Sequence, residues 1–105
     1  MFSSIRTSEE NKSKVSELTS KLQLGAENVI ARLALSYSIS HSGQMDLKGI
    51  KNSKGKSYSK QVLFGDHLSF YIALICQHYQ IYKTNREIPR YLKLHIDDGL
   101  SLIHI

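Results

Sequence analysis

Residues 26–40, AENVIARLALSYSIS, decide the architecture. Ala26, Val29, Ile30, Leu33, Ala34 and Tyr37 recur at the spacing of one helix face, while Ala31, Leu35 and Ile39 make a second. A helix that is apolar most of the way round is buried on more than one side. In a chain of 105 residues, one of those sides is expected to meet another subunit. Arg32 interrupts the stretch, and a mostly buried arginine needs a carboxylate or carbonyl partner.

Working outward, residues 3–7 are a short polar stretch around an isolated Ile5, which suits an edge strand. Thr7 or Ser8 caps a helix whose first turn carries Glu9 and Glu10, with Val15, Leu18 and Leu22 as a narrow apolar stripe. Gly25 is the expected stop. Downstream, residues 41–65 read as a long loop rich in Ser, Gly and Lys, with residues 57–64 as a short strand. Asp66 can cap a third helix, HLSFYIALICQHYQIY, with Tyr71, Tyr79 and Tyr82 on one of its apolar stripes. Pro89 opens a fourth, RYLKLHIDD, ended by Gly99.

The expected fold is therefore mainly α: one compact domain of four to five helices. A short N-terminal strand precedes it, as in a ribbon-helix-helix start, and a long basic loop is inserted. Residues 100–105, LSLIHI, are also the translation of a transposon-adapter sequence used in DNA library preparation. Read that way, the chain is a truncated reading of a slightly longer protein, and His104 carries no argument; the other reading is a genuine apolar tail.

Composition narrows the chemistry. A single cysteine, Cys76, permits neither an internal disulfide nor a cysteine-based metal cluster, and in its apolar setting it reads as a buried thiol. No apolar run approaches the roughly 20 residues a membrane span needs, and the N-terminus lacks the apolar region of a signal peptide. A cytoplasmic protein is expected.

The glycines near the GKS at residues 55–57 have the wrong spacing for a phosphate-cradling loop, since Ile50 stands where the earlier glycine belongs. His41, His67, His78, His95 and His104 show no metal-ligand spacing. Asp97 and Asp98 end a helix and read as a solvated face; paired acid–base work would need a cleft, and neighbours on a helix point about 100° apart. Tyr37, Tyr71, Tyr79 and Tyr82 follow core spacing. No catalytic residue, metal or cofactor is expected.

What remains is charge. The net charge is +5, and residues 41–65 hold five lysines against one acid, Asp46, which is nearly the whole excess. Lys48, Lys51, Lys54, Lys56 and Lys60 are interleaved with Ser, Asn and Gly, which let backbone N–H groups approach phosphates while lysines release counterions. A charge run is most often only a solvated loop. The length of this one, and its near freedom from acids, favour phosphate binding. Arg6, Lys12, Lys14 and Lys21 are further candidates. No Arg or Asn cluster suited to base edges accompanies them, so backbone binding without sequence preference is the expected mode.

With these elements placed, the chain resembles the DndE family, the small component of bacterial DNA phosphorothioation systems. The residues that carry the resemblance are SIRTS, LTSKLQLGAENVIARLALSYSI, QVLFGDHLSFYIALI and YLKLHIDDGL, from about Ile5 to Gly99. The hinge Leu24–Gly25 departs from the more usual threonine-glycine. The resemblance implies compact helical subunits assembled as homotetramers that bind nicked double-stranded DNA through surface lysines. It implies work beside a cysteine desulfurase, a sulfur-transfer protein and an ATPase, in a restriction-modification setting.

Two other classes compete. A ribbon-helix-helix regulator would bind operator DNA as a dimer through paired N-terminal strands. A protein-interaction subunit would turn its lysines to an acidic partner.

Overall fold

The computed structural model describes residues 2, 4–23, 26–55 and 57–103. A strand β1 (Ser4–Arg6) leads into helices α1 (Glu9–Leu22) and α2 (Glu27–Ser42). The basic stretch makes one 3-10 turn, Leu47–Gly49, and returns as strand β2 (Ser57–Ser59). After it come α3 (Lys60–Phe64), a 3-10 turn Gly65–His67, α4 (Leu68–Tyr79) and α5 (Ile88–Leu102). The mainly helical architecture with a short N-terminal strand is the one expected.

β1 runs antiparallel to β2 of the same chain, with Ile5 opposite Tyr58 and both side chains buried. In a ribbon-helix-helix dimer the N-terminal strand pairs with its counterpart in the second copy. Here β2 fills that place. The strand expected over residues 57–64 is only three residues long. The Ser59 hydroxyl accepts from the Val62 N–H (3.2 Å) and starts α3 instead.

Helix ends differ in detail. α1 begins after Ser8, yet the Ser8 hydroxyl caps nothing. α1 ends at Leu22, where Gln23 takes the left-handed conformation (φ 52°) and its N–H closes on the Thr19 carbonyl. The expected stop, Gly25, lies outside the described residues. Asp66 sits within the 3-10 turn and does not cap α4, which ends at Tyr79 with Gln80 left-handed. Tyr82 thus falls outside the helix and is 86% exposed, not core.

On α2 the buried stripe is Ile30, Ala31, Ala34, Leu35 and Ser38, drawn from both expected faces. Leu33 and Tyr37 remain exposed, so Tyr37 is no core residue either. Arg32 finds the carbonyl partner it needs, donating from Nη1 to Leu63 O at 3.3 Å. Cys76 is half-buried rather than enclosed.

The largest departure is α5. Gly99 does not end it. It marks instead the crossing with α2, where a Cβ would stand 1.9 Å from the Ala34 carbonyl oxygen. Without a side chain, the two backbones touch. Leu92, Ile96 and Leu100 are fully buried against Val15, Ile30, Leu35, Phe64 and Ile75, so α5 is the axis of the core. Its polar residues Lys93, His95 and Asp97 are buried too.

Asp97 and Asp98 do point different ways, but Asp97 is buried and Asp98 only partly exposed. The Asp97 carboxylate accepts from the Ser8 N–H (3.1 Å), Asn11 Nδ2 (2.8 Å) and Lys93 Nζ (2.7 Å). Both side chains of the Lys93–Asp97 pair are under a tenth exposed. On the α2 side, Asp98 Oδ2 accepts from the Ser38 and Ser42 hydroxyls, each at 2.6 Å.

Ser38's proton is therefore committed to Asp98, and its oxygen accepts from His95 Nδ1–H at 2.8 Å. That fixes the tautomer. His95 Nε2 accepts from the Tyr79 hydroxyl, whose oxygen in turn accepts from the Met45 N–H at 3.1 Å. Burial, with His78 alongside, depresses the His95 pKa from 6.5 to about 4. Burial also raises that of Tyr79.

Two outcomes follow from these buried groups. Asp97→Ala strands the Lys93 ammonium in the interior and should cost about 3–5 kcal/mol in urea unfolding. A loss below about 1 kcal/mol would contradict a buried pair. His95 is neutral when folded, so its contribution is complete above pH 6.5 and is lost as pH falls through about 4. The difference in stability between wild type and His95→Gln should shrink across that window by an amount of order 3 kcal/mol. A difference independent of pH would contradict it.

Candidate nucleic-acid interface

The basic loop is not free. Asn52 Oδ1 accepts from the Glu9 N–H (3.0 Å) and the Lys54 N–H (3.1 Å), which joins the loop to the first turn of α1. The Asn52 carbonyl accepts from Lys93 Nζ at 2.9 Å. Three residues on, the Gly55 N–H donates to the Thr7 carbonyl at 2.9 Å. A Cβ on Gly55 would lie 2.2 Å from the Ser8 carbonyl oxygen, so only glycine permits this approach. Loop, β1, α1 and α5 thus converge on the Asp97 carboxylate and its neighbours.

Between β1, the loop and the start of α5 runs an open trough of about 450 Å³. Arg6, Lys51, Arg90 and Lys93 line it over Ile5, Ile50 and Pro89. The cations differ in availability. Lys93 is neutralised by Asp97 and acts as a strut. Lys51 reaches Glu10, and also donates to the Ser101 hydroxyl at 3.1 Å. That ion pair and its hydrogen bond hold the Glu10 carboxyl below its usual range. Arg90 pairs with Glu87 at 3.4 Å. Both outer pairs are open to solvent and contribute little to stability.

Of the residues nominated from sequence, Arg6 and Lys51 come together in this trough. Lys48, in the turn Leu47–Gly49, and Lys54 are exposed on the same loop but do not line it. Lys60 is half-buried at the start of α3, and Lys56 lies outside the described residues. Lys12, Lys14 and Lys21 stand on α1, away from the trough lining, and Lys21 pairs with Glu17 at 2.9 Å. Sequence reasoning missed Arg90 and Lys93. Their spacing of three puts them on one face of α5, but only the passage of β1 across that face turns them into a wall.

Tyr58, opposite Ile5 in the ribbon, ties β2 to α2. Its hydroxyl donates to Glu27 Oε1 at 2.9 Å, and burial together with that carboxylate raises its pKa. Among the described residues no three of His, Cys, Asp and Glu stand close enough to hold a metal ion. No helix among them is long and apolar enough to cross a membrane.

Fold and trough together define a small helical domain built round a central C-terminal helix, with a cationic groove where its N-terminal ribbon crosses that helix. The chain belongs to the DndE family: the model for DNA sulphur modification protein DndE matches residues 4–105. It is similar in fold to crystallised members. DndE from Escherichia coli B7A, involved in DNA phosphorothioation modification, superimposes with a TM-score of 0.75 at 16% identity over 96% of each chain. A DndE mutant with two glycines changed to lysine, also involved in DNA phosphorothioation, gives 0.76 at 17% identity and the same coverage. No curated protein matches the sequence significantly.

Proposed function

We propose that this chain is a non-catalytic, DNA-holding subunit of a cytoplasmic phosphorothioation machinery, gripping the backbone of double-stranded DNA, nicked in preference to intact. The observation that carries the reading is the convergence of Arg6, Lys51 and Arg90 on one trough, flanked by exposed Lys48 and Lys54. Cations displaced from the DNA by these groups supply the affinity. The chemistry of sulfur insertion then belongs to the cysteine desulfurase, sulfur-transfer protein and ATPase of the same system. The Leu33–Tyr37 side of α2, 43% and 42% exposed at those residues, is the surface for further copies in a homotetramer.

The test is binding to intact and nicked duplex over a range of salt, with particle mass read by light scattering on the same samples. Each phosphate contact contributes a slope of roughly one in log K against log salt. Replacing Arg6, Lys51 and Arg90 by alanine should therefore flatten the slope by roughly three. An unchanged slope removes the trough from the interface. A monomer at micromolar concentration removes the tetramer.

A further inference from the structure

Pro89 lines both the trough and a second cavity of about 660 Å³ beside it. Its floor is apolar, formed by Phe2, Ile72 and Ile88. Its rim carries Lys83 and Arg86, both exposed and neither engaged in an ion pair among the described residues. The rim is a defined turn, not a loose loop. The Asn85 N–H donates to the Tyr82 carbonyl at 2.9 Å, while Asn85 Oδ1 accepts from the Glu87 N–H at 2.8 Å.

An apolar slot with cations on one lip suits a ligand that is flat and apolar at one end and anionic at the other. A nucleotide has that form. Its base can lie on the Phe2–Ile72–Ile88 floor while its phosphate meets the Arg86 fork and the Lys83 ammonium. The volume falls in the range of small-ligand sites, about 300–1,000 Å³. The shared Pro89 sets the cavity next to the trough, within reach of a strand lying there.

We infer that this cavity receives one unpaired nucleotide of the strand whose neighbouring phosphates occupy the trough. The inference rests on the phosphate-holding reading above and adds a recognition element to it. A base inside a duplex is stacked and cannot enter, whereas one already unpaired at a strand end or gap enters at least cost. The trough would then hold backbone, and the cavity would report that the strand is interrupted.

The experiment compares a fully paired duplex with the same duplex bearing one unpaired terminal nucleotide, 2-aminopurine, whose fluorescence reports its surroundings. Wild type should bind the second about tenfold tighter, the scale of one base stacked on an apolar surface, with a change in 2-aminopurine emission. Phe2→Ser removes part of the floor without altering charge. It should abolish both the preference and the emission change, and leave affinity for the paired duplex as it was. Lys83→Gln with Arg86→Gln should also abolish the preference; circular dichroism melting checks that each variant is folded.

Equal binding of the two duplexes by wild type, or a preference that survives Phe2→Ser, overturns this inference and leaves the trough reading standing. An emission change without any binding of paired duplex supports the cavity and overturns the duplex-holding reading. No binding of either DNA overturns both.

Discussion

One carboxylate organises the molecule. Asp97 sits on the central helix and is almost fully buried, and three donors from two directions converge on it. An isolated carboxylate in such a place is prohibitively costly, so each donor is obligatory. Ser8 and Asn11 bring the start of α1 onto α5. Lys93 brings a compensating charge, and its second hydrogen bond to the Asn52 carbonyl carries the constraint into the basic loop. A stretch of sequence with little apolar content of its own is thereby given one conformation.

The division of labour among the cations follows from burial. Lys93 is charged and enclosed, so its interaction with Asp97 resists exchange, and it shapes the trough without being available to a ligand. Lys51 and Arg90 are charged and exposed, as are their carboxylate partners, so both ion pairs are weak in water. A polyanion that releases its own counterions competes readily with pairs of that strength. The site is therefore held by a buried pair at its base and by exposed, weak pairs at its lip. On the α2 side, the hydrogen-bonded network through His95, Ser38 and Asp98 ties α5 to α2.

Much of the fold was legible in the sequence, because α1, α2 and the start of α5 announce themselves through apolar spacing, an acidic first turn and Pro89. Two things were not. Asp97 reads as part of a solvated face until its partners are known, and apart from Lys93 on the same helix those partners, Ser8 and Asn11, lie almost the whole chain away. Gly99 reads as a helix stop because glycine usually is one, whereas here it answers to the backbone of Ala34. The site was half legible for the same reason. Charge counting finds Lys51 in the basic run, but Arg90 joins it only through the pairing of β1 with β2. That pairing of three-residue strands leaves no signal in the local pattern.

The central claim is that Asp97 and its donors hold the ribbon, the loop and α5 together as the base of the trough. Native-state hydrogen exchange at the Ser8 and Gly55 amides tests it most directly, since one donates to Asp97 and the other closes the loop on Thr7. Both should exchange only through global unfolding in the wild type and become selectively labile in Asp97→Asn. Exchange of either amide at the rate of an open loop in the wild type would contradict the account.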